Sequence, residues 1–203
     1  MSGIIAQNTL DNSGLVKAPA GGGAWNFIKK LTASADGTLD FIDGTSDVTL
    51  DNSYKEYVFS FNNIHPATDD QPLVFQGNAA GGSGFNETMT TSYFRAYNTE
   101  AASAGFSYDS NRDLAESTSF QQVISDIGNG NDECGSGFLH LFNPSSTTFV
   151  KHFICRTSSL SSGGAVQQHI SGYFNTTSAI DEIQFKMASG NIDAGDICLY
   201  GIN

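Results

Sequence analysis

His140, His152 and Cys155 fall close together in the middle of the chain. Imidazole nitrogens and a thiolate are common zinc ligands, so this trio is the first candidate for chemistry. Its spacing argues against a metal. No Cys-x-x-Cys and no Cys–His pair at finger spacing accompanies it, and no carboxylate or second thiol stands at a fixed interval. The two histidines fit better as hydrogen-bonded side chains in a packed hairpin or an interface. Asp36, Asp40, Asp43, Asp47 and Asp51 invite calcium. An EF-hand loop needs Asp-x-Asp-x-Asp-Gly and a distal Glu, which this segment lacks, so these aspartates are assigned to turns and surface. No metal and no cofactor is expected.

Hydrolytic chemistry finds no better footing. Ser, His and Asp are all present, but no Gly-x-Ser-x-Gly elbow exposes a nucleophile. Asp132-Glu133 and Asp181-Glu182 are adjacent pairs. On a strand their side chains leave opposite faces, the wrong arrangement for paired-carboxylate cleavage of a glycan. The Gly-rich stretch 78–86 has no Gly-Lys-Ser/Thr ending and no helix after it, so it is not a phosphate loop. No catalytic and no cofactor-binding residue is assigned, and the chain is expected not to be an enzyme.

Composition narrows the partners. The 203 residues carry a formal charge of −12 with only 15% charged residues, and 22 are glycine. Binding nucleic acid through phosphates requires clustered Lys and Arg, and the nine here are scattered. No apolar run approaches the roughly 20 residues of a membrane span, and the first residues lack the basic and apolar regions of a secretory leader. Cys134, Cys155 and Cys198 are an odd count and are taken as reduced, packed thiols. A surface of Ser, Thr, Asn and Gly with little charge fits an extracellular or virion β-protein.

The elements that hold these residues are strands. Phe138–Phe142 and Thr148–Ile154 are rich in aromatic and β-branched residues and flank Asn143-Pro144-Ser145-Ser146-Thr147, a turn sequence. We read them as a central hairpin. Phe138, His140, Phe142, Phe149, His152 and Phe153 belong to a pair apolar on both faces, which implies cover on both sides or a place in an interface. In one register His140 and His152 face each other; a one-residue slip separates them. Tyr57, Phe59 and Phe61 alternate with Glu56, Val58 and Ser60, as in a half-buried strand. Further strands are expected at Trp25–Leu31, Thr38–Ile42, Leu73–Gln76, Thr88–Tyr97, Phe120–Ile127, His169–Phe174, near Ile183–Met187 and at Ile197–Tyr200. His65 is placed in a loop before Pro66. Segments 78–86, 98–117 and 158–165 are polar, Gly- or Ser-rich loops suited to contacting a surface. No segment has a helical period.

Three sets of segments carry a resemblance: Tyr57–Asp69, Leu139–Pro144, and Phe185–Ile192 together with Leu199–Ile202. With these the chain, from about Trp25 onward, resembles a family of β-rich structural proteins of tailed phages of marine bacteria, of cyanophage or pelagiphage type. Its members are described as tail-fibre or virion-surface proteins. The resemblance implies a non-enzymatic structural protein of the virion, made in the host cytoplasm and exposed on the particle. It also implies a homotrimer that contacts other virion proteins, with host-surface glycan as a further partner. The rival readings are a capsid decoration protein and a carbohydrate-binding β-sandwich module.

Two units are therefore expected. Residues 24–203 form an all-β, jelly-roll-like antiparallel sandwich of ten to twelve strands. Residues 1–23 form an extended N-terminal arm ending in Gly21-Gly22-Gly23, in which Ile4, Ile5, Leu10, Leu15 and Val16 could anchor to the particle.

Overall fold

The structure, a computed structural model, describes residues 24–161 and 163–202. The expected arm, with Ile4, Ile5, Leu10, Leu15 and Val16, lies outside the described residues. Those described form twelve strands and no helix: β1 (Trp25–Asp36), β2 (Leu39–Ile42), β3 (Glu56–Pro66), β4 (Gln71–Ala79), β5 (Met89–Thr99), β6 (Ala104–Tyr108), β7 (Gln121–Ile127), β8 (Gly135–Phe142), β9 (Lys151–Ser161), β10 (Gly164–Phe174), β11 (Ile180–Met187) and β12 (Ile192–Ile202).

They make two antiparallel sheets packed as a sandwich. The large sheet runs β1-β12-β3-β8-β9-β10-β5-β6 and the small one β2-β11-β4-β7. Eight strands pair as β1 with β12, β2 with β11, β3 with β8 and β4 with β7. They form one folded antiparallel ribbon whose successive segments alternate between the sheets. The remaining four, β5, β6, β9 and β10, are two inserted hairpins that widen the large sheet alone.

Alternation along the strands builds the core. Tyr57, Phe59 and Phe61 of β3 point inward and are fully buried, as their spacing predicts. Phe185 of β11 meets Phe59 and Phe61 of the opposite sheet, with ring centroids 5.2 and 5.3 Å apart. Phe75 of β4 meets Phe153 at 5.0 Å and Phe174 at 6.0 Å in the same way. Edge-on aromatic pairs of this kind add to the burial of large rings. Gly77 sits beneath the Phe174 ring, where a Cβ would come within 2.9 Å of it.

Several sequence expectations shift. The central hairpin exists, and β8 and β9 are the fourth and fifth of eight strands. The second strand, however, starts at Lys151 rather than Thr148, and Phe149 lies in the connecting loop, 69% exposed. Pro144 and the hydrogen bonds of Ser146 Oγ to the amides of Thr148 and Phe149 hold that loop beyond the turn sequence. Segment 158–165 is mostly strand, because β9 and β10 pair as a long hairpin as far as Ser161 opposite Gly164. His65 lies within β3, and its Nε2 is 3.1 Å from the Gly130 carbonyl.

Segment 98–117 is less free than its polarity implies. It contains β6, and its later part is pinned to β5: the Thr91 amide donates to the Leu114 carbonyl, and the Leu114 amide to Thr91 Oγ1, both at 2.8 Å. The three expected contact loops also do not share an end. Thr99 pairs with Gly164 at the end where Gln71 pairs with Ile127, whereas Ala79, the second residue of 78–86, pairs with Ile180 at the other.

Candidate functional site: an aromatic sheet face and an end cleft

Strand register separates the hairpin residues. Leu139, Leu141, Phe153 and Cys155 face the core, and Phe153 is 1% exposed. Phe138, His140, Phe142, His152 and Ile154 face outward. His140 pairs with Ile154 and Leu141 with Phe153, so His140 and His152 share a face but are offset by two positions. His140 Nδ1 bonds Glu56, while His152 packs on Tyr173 with centroids 5.7 Å apart. Phe138, His140, Phe142 and His152 thus lie on the outward face. Phe153 is a core residue because one step along a strand reverses the face.

The outward residues belong to a wider array. Following the register across the large sheet, Phe27 aligns with Tyr200, Tyr200 with Val58, Val58 with His140, and His140 with Ile154. Trp25, on the same face, contacts Tyr200 at 5.4 Å and Phe138 at 6.0 Å. Toward the other edge Phe94 stacks on His169 and contacts Phe106 at 5.5 Å. Between these clusters Phe142, His152, Ile154 and Tyr173 border a shallow depression of about 510 Å³ floored by Ser92 and Ser171. Phe27 and Phe106 are 61% and 72% exposed. Charges on this face are of both signs: Lys30 of the edge strand pairs with Asp196 at 3.4 Å, and Glu56 and Arg156 lie nearer the middle. Sequence reading found the hairpin's part of this array. It missed Trp25, Phe27, Phe94, Phe106 and Tyr200, whose common face is a matter of strand order.

A second feature lies at one end of the sandwich, where the large sheet extends past the small one. Arg95, Tyr97, Thr99, Gly164 and Val166 with Arg112, Asp70 and Asp126 line a cleft of about 380 Å³. Arg112 is fully engaged. Its Nε donates to Asp109 at 3.0 Å, one terminal nitrogen donates to Asp126 at 3.2 Å and to Gln122, and the other to Asp126.

The thiols are separate. Cys155 and Cys198 are buried, Cys134 is half-buried, and none is bonded to another. Burial pushes the Cys155 thiol far up, so it is a packing residue. Among the described residues no three His, Cys, Asp or Glu side chains converge as a metal site.

Fold and face together define an all-β sandwich with a broad aromatic surface. No family model matches the chain, and no curated protein matches it either.

Proposed function

We propose that this chain is a non-enzymatic structural protein of a tailed-phage virion, of tail-fibre or appendage type, and that copies of it assemble through the aromatic face of the large sheet. The observation that carries the assembly reading is that face itself. Extended exposed apolar surface marks interfaces, and interface centres are rich in Trp, Tyr and Phe and poor in charge. A second copy is the favoured occupant on charge grounds. The chain carries −12 overall, so two copies repel unless they meet where charge balances. This face carries Lys30 and Arg156 as well as Asp196 and Glu56, a mixture of both signs, with the Lys30–Asp196 pair toward its edge.

The virion setting rests on the resemblance of Tyr57–Asp69, Leu139–Pro144, Phe185–Ile192 and Leu199–Ile202 to marine phage structural proteins. The folded ribbon supports it: we read its winding as jelly-roll-like, an architecture of viral capsid and lectin domains. In this reading Met1–Gly23 attaches the protein to other virion proteins, and the homo-oligomer is a trimer.

Light scattering of the full-length chain at micromolar concentration tests the assembly. A mass three times the chain's 21.5 kDa is expected, falling to that of one chain in the double variant Phe138→Ser, Ile154→Lys. A wild-type monomer overturns the reading. Deleting residues 1–23 should leave a soluble, cooperatively melting protein that is missing from assembled particles; incorporation at normal copy number would place attachment elsewhere.

A further inference from the structure

The end cleft has a composition that assembly does not use. Its polar groups are of both kinds, with donors from Arg95 and Thr99 and carboxylate acceptors from Asp70 and Asp126. Tyr97 supplies an aromatic wall, and Val166 an apolar patch. Arg95 contrasts with the saturated Arg112. Its Nε is ion-paired with Asp109 at 3.5 Å without a well-formed hydrogen bond, its side chain is 33% exposed, and its terminal nitrogens donate to no group among the described residues. Those terminal nitrogens are donors left for the oxygens of a ligand. Tyr97 is held in place from behind. It pairs with Gly105 of β6, where any Cβ would stand 2.7 Å from the Tyr97 ring, so glycine is what lets the ring lie against that strand.

We propose that this cleft binds one residue of a neutral saccharide. A pyranose ring needs three things together: acceptors for its hydroxyl hydrogens, donors for its oxygens, and a flat apolar wall for its C–H face. Asp70 and Asp126 supply the first, Arg95 the second, and the Tyr97 ring the third, through the negative face of its π-system. The volume is at the lower end of small-ligand sites, enough for a single sugar ring rather than a long chain. Charge selects against acidic sugars. Asp70 also lines the neighbouring cleft with Asp69 and Glu133, so carboxylates crowd the mouth. The cleft lies at the end of the sandwich and leaves the aromatic sheet face free. Sugar binding and self-assembly can therefore each hold or fail alone.

Saturation-transfer NMR with methyl α-glucoside, methyl β-galactoside, methyl α-mannoside and N-acetylglucosamine tests this on the full-length chain, with glucuronate and sialic acid as acidic counterparts. Transfer to at least one neutral sugar is expected. Tyr97→Ala and Arg95→Ala should each weaken it by about tenfold or more, equivalent to about 1.4 kcal/mol, while both variants melt cooperatively. Phe27→Ala, on the aromatic face, should leave it unchanged. Three results overturn the proposal: no transfer to any neutral sugar, stronger transfer to the acidic ones, or binding lost in Phe27→Ala and kept in Tyr97→Ala. Light scattering of the same samples reads assembly independently.

Discussion

The ring of Phe94 lies flat on the imidazole of His169, with centroids 4.9 Å apart and 6° between the planes. The two are direct partners across β5 and β10, and Arg156 is the partner of His169 on the other side. Burial, and then the charge of Arg156, lower the pKa of His169 below the ordinary 6.5. A histidine with a depressed folded pKa takes up protons more readily when unfolded. Its contribution to stability is therefore present above 6.5 and lost as pH falls through the lowered value. An NMR titration should place the His169 midpoint below 6.5, and Arg156→Gln should move it upward. A wild-type midpoint at or above 6.5 contradicts this account.

The two faces of the central hairpin should respond oppositely to truncation. Phe153 packs against Phe75 and Phe174 in the core, so Phe153→Ala should destabilise by about 3–5 kcal/mol in chemical denaturation. Phe138 faces outward and is 44% exposed, so Phe138→Ser should cost the isolated chain under about 1 kcal/mol while weakening assembly. Equal losses of stability from the two would mean that the register is wrong.

A polar cluster lies between β7 and the β9–β10 hairpin. Gln168 accepts from Thr157 Oγ1 at 2.7 Å and donates to Ser125 Oγ at 2.7 Å and Ser159 Oγ at 3.1 Å. All four residues are buried. Gln168→Leu keeps the size of the side chain but removes the donor to Ser125 Oγ and leaves Thr157 and Ser159 only their carbonyl acceptors, and should cost about 1–3 kcal/mol in urea unfolding. A neutral or stabilising result would show that water or rotated hydroxyls replace the amide.

Tyr93 makes the opposite case. Its hydroxyl is buried beside Ser125 without a well-formed hydrogen bond, and burial pushes its pKa up to about 12. A raised folded pKa contributes stability that is fully present below the free value near 10 and lost as pH rises through about 12. The melting temperature should therefore fall above pH 10, and less steeply in Tyr93→Phe. At neutral pH the same substitution removes an unsatisfied hydroxyl and should raise stability by about 1–3 kcal/mol. A lower melting temperature for Tyr93→Phe at pH 7 would reveal a partner for that hydroxyl.

The sequence by itself determined the class of fold and much of the core. Tyr57, Phe59 and Phe61 declare their common face because a strand's side-chain period is two, a local property of the chain. For the same reason the central hairpin, the absence of helix among the described residues and the division of Ile183, Phe185 and Met187 from Gln184 and Lys186 are all legible before folding. What only the tertiary structure decided is which strands are neighbours. Trp25 and Phe138 are 113 positions apart, yet their rings meet over β12 and β3, which lie between β1 and β8 in the large sheet. Alternation marks Phe138, Phe142 and Phe149 alike as apolar, and cannot tell a ring facing the small sheet from one facing solvent or one carried off in a loop. The end cleft was hidden for a related reason. Arg95 and Tyr97 sit on the inward face of β5, where the pattern predicts core, and they are open because the shorter sheet stops before it covers them. Sheet order and sheet length arise from long-range pairing, which no local period encodes.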